Sequence, residues 1–342
     1  MVADALRRLG GLDDPLVDPG PELAPAGYRT TLRGVADADG RFALRRRASH
    51  DPVAVPGCRV ADPLVAEVVE AGRFPPGAEV TIRAGARTGE RLVIVDRPAG
   101  RAGAGRDGTD PAGVPDGLLD GVDVPDGVRV VAGAELTAGR RAWFHEEVAG
   151  RWLRISARSF FQPRPDGAEA LVAAVAAAVG EPGPASRGGG RPHLVDLYGG
   201  VGLFAVTADP GWRVTVVEAS ASAVADARIN LASRPAPADV AAPAGPVAPP
   251  DRVVRSDVAR WRPRRAAAVV ADPPRAGLGR AGVRAVVRTG ADRLALVSCD
   301  AGALGRDAAL LTAAGYRFAG ATLVDQFVGT PHVEVVSRFV RS

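Results

Sequence analysis

The sequence predicts an α/β protein: a doubly wound parallel sheet fills its second half, and a smaller β-rich α+β region precedes it. Three observations carry this. From residue 193 onward, apolar runs alternate with helical stretches: HLVDL, RVTVV, AAVVA and LALVS each precede or follow a helix-like segment. Strands alternating with helices are the signature of βαβ units and a parallel sheet. The first half instead shows short β-like segments divided by Gly, Asp and Pro. A length of 342 residues is enough for two domains.

Taken in order, residues 1–25 are rich in Gly, Pro and Asp and are expected to be irregular or disordered. YRTTLRGVAD and GRFALRRRAS read as strands joined by a turn at ADGR. DPLVAEVVEAG (62–72) has helical apolar spacing and a glycine stop at Gly72. AEVTIRAGA and RLVIVD are further strands, and 98–127 reads as a long loop. Short β segments return at VRVVAGAE and RWLRISARSFFQ.

A helix at 168–180, ended by glycine, opens the second half, and EPGPASRGGGR is a loop. Strands then fall at 193–197, 213–217, 252–255, 267–271, 294–298, from 316, and at 334–340. Helices fall after the glycine loop, at 220–233, around 281–289 and at 302–314, with a Pro/Ala linker at 234–250. The expected division is an irregular 1–25, a β-rich domain over 26–158 and an α/β domain over 159–342.

Composition narrows the function. No apolar run reaches the length of a membrane span, and no signal-peptide stretch opens the chain, so a cytoplasmic protein is expected. Cys58 and Cys299 are the two cysteines, too few for a disulfide framework, a zinc site or an iron–sulfur cluster. No metal is expected. The net charge is +4, and with no lysine present all 43 basic residues are arginines. Alanine, glycine, proline and arginine abound, as a GC-rich genome would produce. A mildly basic surface is compatible with RNA without requiring it.

Four stretches carry chemistry. In VDLYGGVGLFAV (195–206), Gly200 and Gly202 give a G-x-G-x-x-A turn, and Glu218 at the end of the next strand suits a ribose diol. The turn fits a nicotinamide dinucleotide or S-adenosylmethionine. Asp196 inside the strand, a mid-chain position and the lack of a second phosphate-binding glycine run favour the methyl donor. Asp196 suits the ammonium of its methionine part. VVADPPRAGL places Asp272 at a strand's carboxyl end, where open sheets bind ligands. Its two prolines stiffen the turn, and Arg275 is long enough to reach a phosphate. Cys299 ends the next strand, where the following helix dipole favours a thiolate. A nucleophilic thiol needs a proton acceptor nearby. His332 and Glu334 lie two residues apart on one strand face, and either could serve.

Taken together these stretches resemble the uracil-5 RNA methyltransferases, the family that makes 5-methyluridine in tRNA or rRNA. SFFQ (159–162), DLYGGVGLFA, VVEAS, ADPPRAGL, VSCDAGALGRD and HVEVV occur in the family's order, and the region from residue 27 resembles its central, RNA-binding domain. The resemblance implies a Rossmann-like methyltransferase domain whose sheet closes with an extra hairpin. It implies that Cys299 attacks C6 of uracil and that Glu334 removes the C5 proton. Gln162, Tyr198, Gly200, Gly202, Glu218 and Asp272 would then hold S-adenosylmethionine, with Asp257 facing the adenine. A monomer acting on tRNA or rRNA is expected.

The chain departs from the family at Gly199, where cysteine is common, at Leu203, where asparagine is common, and at Asp300, which puts a negative charge beside the thiol. The small N-terminal β-barrel and the four-cysteine iron–sulfur motif of some relatives are also expected to be missing. Arg45, Arg46 and Arg47 are candidates to grip RNA, or a solvated strand face. Rival readings are a methyltransferase acting on another base or a small molecule, a nicotinamide oxidoreductase, and a catalytically impaired RNA-binding protein.

Overall fold

The computed structural model describes residues 1–49, 51–97, 117–183, 190–235 and 250–342. Its chain opens with α1 (Val2–Arg8) and β1 (Val17–Pro19), then β2 (Thr31–Ala36), β3 (Phe42–Arg45), β4 (Pro52–Ala54), α2 (Pro63–Ala71), β5 (Glu79–Ala84), β6 (Arg91–Asp96), β7 (Val128–Ala132) and α3 (Gly133–Thr137). A hairpin follows, β8 (Trp143–Val148) and β9 (Arg151–Ser156), and then α4 (Pro165–Val179). The rest alternates: β10 (His193–Leu197), α5 (Leu203–Thr207), β11 (Arg213–Glu218), α6 (Ala221–Ala232), β12 (Arg252–Arg255), β13 (Ala268–Ala271), α7 (Gly279–Thr289), β14 (Arg293–Ser298), α8 (Ala301–Ala313), β15 (Tyr316–Val324) and β16 (Glu334–Arg341).

Eight strands form the large sheet in the order β1-β15-β16-β14-β13-β10-β11-β12. All run parallel except β16, which is antiparallel to both β14 and β15 and so closes the expected terminal hairpin inside the sheet. Strand alternation sends Leu194, Val216, Val270 and Val297 into one core with α4, α5 and α6. Val195, Val217, Val269 and Leu296 enter a second core, shared with α1, α7 and α8. A six-stranded sheet, β4-β3-β2-β5-β6-β7, packs on α2 around Val65, Val68, Val80 and Ile82.

Residues 1–25 correct the expectation of an irregular segment. Leu6 is fully buried and Val2 nearly so, both in the second core. α1 lies so close to α8 that a Cβ on Gly305 would stand 2.6 Å from the Ala5 carbonyl oxygen. A seven-residue helix is too short to hold alone, so packing makes it. β1 pairs with β15 and extends the sheet. A second correction concerns RWLRISARSFFQ, where the strand stops at Ser156 and 157–164 crosses to α4 as irregular chain. β8 was not anticipated at all. Of the loop read at 98–127, residues 98–116 lie outside the described residues, as do 184–189 and 236–249 of the other two loops.

The crossing segment is held by buried charge. Arg83, on β5 and 5% exposed, donates to the carbonyls of Ser156, Ala157 and Ser159 at 2.7 to 3.2 Å. Asp226, on α6 and fully buried, accepts from Ser156 N and Oγ and from Ser159 Oγ at 2.8 to 2.9 Å. Burial lowers the Arg83 pKa to about 10, and the nearby Asp226 charge holds it up. Removing one side of such a network strands the other without partners. Arg83→Ala is therefore expected to cost about 3 kcal/mol. The check is a lower urea midpoint with an unchanged m-value.

Candidate active site

Strand order reverses between β10 and β13: from β10 the chain proceeds to β11 and β12 on one side, then returns to β13 and β14 on the other. Open α/β sheets bind ligands outside the carboxyl ends of the strands at such a reversal. The glycine loop leaves β10 there, and the DPPR turn leaves β13 beside it.

Register then assembles the reactive residues. Ser298 pairs with Val335, so the next antiparallel position sets Cys299 opposite Glu334. Leu197 pairs with Ala271 and with Val217, so Tyr198, Asp272 and Glu218 end three adjacent strands at one level. Alternation puts Asp196, Glu218, Asp272, Cys299 and Glu334 on the sheet face that carries Leu194, Val216, Val270, Val297 and Val336. Five widely spaced residues thus share one ridge.

The glycine loop is held by its neighbours. Tyr198 has φ of 59°, the left-handed region that a bulky residue seldom adopts. Gly200 and Gly202 continue the turn at φ of 55° and 91°. Glu218 accepts from Gly200 N at 3.0 Å and Ser220 N at 2.6 Å. From α6, Asn230 donates to the Val201 carbonyl at 2.9 Å and pairs with both backbone groups of Arg154. This ties the loop to β9. Leu203, the departure from the family pattern, is buried in the apolar core.

Asp196 is fully buried. Its Oδ2 accepts from Ala205 N at 3.2 Å, and its Oδ1 has no partner among the described residues. Burial, then the charges of Asp272 and Glu218, push its pKa to about 8. Asp272, half-buried at the end of its strand, is lifted to about 7 by burial. Glu334, 9% exposed, is raised to about 8 by burial and by Asp272, against the pull of Arg275. All three carboxyls hold protons more tightly folded than unfolded. Their stabilisation is therefore complete below the ordinary carboxylate range and is lost as pH rises through about 7 to 8. The ligand-free melting temperature should fall between about pH 5 and about pH 8, less steeply in Asp196→Asn, in buffered thermal scans.

The thiol corrects one expectation. Cys299 is raised rather than lowered: burial, Glu334 and Asp272 all favour the neutral form, while Arg275 opposes them. The helix dipole does not overcome three such influences. Asp300 caps α8, accepting from Ala303 N at 2.7 Å. His332 and Glu334 part company. His332 is exposed on the connection before β16, with its ring against Phe327. Glu334 alone reaches the buried ridge.

Gln162 is buried, and its Oε1 accepts from Gln326 Nε2 at 3.3 Å. Gln326 is fully buried, and its own Oε1 has no partner among the described residues. Asp257 is exposed; its Oδ1 accepts from Ala259 N at 2.7 Å, and its charge reaches Tyr198. Burial, then Asp257 and Asp307, raise the Tyr198 hydroxyl. Sequence reasoning assigned no role to Asp307 or Gln326. Asp307 accepts from Leu278 N at 2.7 Å and Gly279 N at 2.9 Å, so α8 braces the loop after DPPR. Its presence in VSCDAGALGRD was the available signal.

No protein-family model matches the chain. It is 32% identical over 361 residues to an uncharacterized RNA methyltransferase of Streptomyces avermitilis, covering 98% of this chain and 75% of that one. A second uncharacterized RNA methyltransferase, from Streptomyces coelicolor, is 32% identical over 367 residues, covering 98% and 71%. Among solved structures, the Pyrococcus abyssi tRNA (uracil-54, C5)-methyltransferase in complex with S-adenosyl-L-homocysteine matches with a TM-score of 0.68 and 22% identity. That match covers 99% of this chain and 82% of the other, a likeness of fold.

Proposed function

Because this chain belongs to the RNA methyltransferase family of its Streptomyces relatives, we propose that it methylates C5 of a uridine in tRNA or rRNA through a transient bond between Cys299 and C6 of the base. S-adenosylmethionine is the cofactor, and when bound it supplies an electrophilic methyl group. The residues suit it. The Oδ1 of Asp196, without a partner among the described residues and in a cluster of acids, is an environment that a cationic ligand relieves. Glu218 suits the ribose diol, Gly200 and Gly202 leave the backbone open to close approach, and Tyr198, Gln162 and Asp272 would complete the set that holds it. Asp257, whose charge reaches Tyr198, would face the adenine.

The observation that carries the reading is Cys299 facing Glu334 across two paired strands, beside Asp272. Uracil C5 is a poor nucleophile. The Cys299 thiolate adds to C6, and the displaced π electrons make C5 enolate-like and able to accept a methyl group. The C5–H proton then passes to Glu334. Its bonding electrons restore the C5–C6 double bond as the C6–S bond breaks and sulfur departs as thiolate. The base must leave its stack to reach so recessed a pair.

Mass mapping of tRNA and rRNA from cells with and without the gene tests this. One 5-methyluridine present only with the gene is the expected result, and unchanged maps would sink the assignment. The cofactor has a separate check: S-adenosylhomocysteine at about 100 times its Kd should stabilise the protein by about 2.7 kcal/mol, whereas NADH should leave the melting temperature unmoved.

A further inference from the structure

We propose that the outer face of α7 is a second RNA contact, a basic track that holds phosphates of the substrate away from the reacting uridine; this extends the RNA methylation proposed above. Residues 273–291 contain four arginines, Arg275, Arg280, Arg284 and Arg288, and no acidic residue. Arg275 belongs to the active-site rim. The other three recur every fourth residue, so they share one helix face, spaced about 6 Å apart along the axis. All three are exposed. Among the described residues none of them makes an ion pair or a side-chain hydrogen bond. The opposite face of α7 is buried through Gly282, Val283, Ala285, Val286 and Thr289.

Local helix physics disfavours this arrangement. Like charges at i and i+4 repel, and Arg284 has one on each side. Arg280 lies in the first turn, the positive end of the dipole, where an acid is the stabilising choice and none is present. Only Arg288, in the last turn, complements the dipole. A polyanion laid along the face reverses each of these penalties at once.

Position supports the same ligand. α7 begins after the DPPR turn, at the carboxyl ends of the strands, and ends where Thr289 O accepts from Ala266 N just before β13. Its 11 residues carry the track about 16 Å from the crevice to the amino ends of the strands. There it meets an open recess of about 560 Å³ lined by Arg265, Arg288 and Arg341, with Asp292 its one carboxylate. Arginine forks suit phosphate oxygens, and such contacts position RNA without reading its sequence.

The test is the salt dependence of binding to unfractionated tRNA, which reports phosphate contacts whichever RNA carries the target uridine. Wild type is compared with Arg280→Ala/Arg284→Ala/Arg288→Ala and with the corresponding triple Arg→Lys variant, binding of S-adenosylhomocysteine serving as the fold control. The alanine variant should lose about 2 from the slope of log K against log salt, about 0.7 for each of three contacts, and the lysine variant should keep most of it. Equal slopes in wild type and alanine variant overturn the proposal. So does a slope lost equally by the lysine variant, since charge is then not what binds. A wild type that binds tRNA with this slope but methylates no RNA would instead defeat the reading of the active site and leave the track standing.

Discussion

Cys299→Ala is expected to abolish methyl transfer, lowering the rate by about 10⁴-fold or more, while S-adenosylhomocysteine still binds. The size of the effect follows from the chemistry. Without addition at C6, C5 stays too electron-poor to react, and no neighbouring side chain can replace the sulfur. Asp272 and Glu334 hold protons near neutrality and are hard, weakly nucleophilic oxygens. Because the thiol is raised by its surroundings, little thiolate exists before the substrate binds. Wild-type activity should therefore rise with pH as the thiol ionises. RNA carrying 5-fluorouridine gives a second readout: fluorine cannot leave as a proton does, so wild type should form a stable protein–RNA adduct and Cys299→Ala should form none. An active Cys299→Ala protein would favour a methyltransferase that needs no covalent step.

The sheet was legible because its strands announce themselves. HLVDL, AAVVA and LALVS are short, apolar and bounded by turn residues, and each became a strand within a residue of its expected limits. Motifs at their carboxyl ends could be placed by topology alone. The choice between His332 and Glu334 could not, since alternation gives both the same face. What separates them is where β16 begins, a fact set by its pairing with β14. The same limit hid α1 and β1, whose sequences are weakly patterned and whose structure comes from α8 and β15. It also hid Gln326 beside Gln162, 164 residues apart, and the Arg83–Asp226 junction. Each is a polar contact between distant segments, and no local periodicity records such a contact. Asp300 shows the converse: a carboxylate that looks harmful next to the nucleophile caps the following helix, and what raises the thiol is burial, with Glu334 and Asp272.

Glu334→Gln is expected to separate the two halves of the reaction. Addition of sulfur and methylation of C5 do not require the carboxylate, so the glutamine variant should still load methyl onto RNA. It should then fail to remove the C5 proton, and a methylated protein–RNA adduct should accumulate, stable to denaturing gel electrophoresis, with turnover down by about 10²- to 10⁴-fold. The sign of the pH dependence follows from the environment. Glu334 must be ionised to accept the proton, and burial with Asp272 nearby places its pKa at about 8. In the free enzyme the base is therefore mostly protonated at neutral pH, and product release should accelerate as pH rises through about 8. Loss of Asp272's charge lowers that pKa, so Asp272→Asn should move the release limb to lower pH even as it weakens the cofactor crevice. A Glu334→Gln enzyme that released 5-methyluridine RNA at the wild-type rate would assign the proton to another group. Glu334 would then be left as a buried acid beside the thiol with only an electrostatic effect on it.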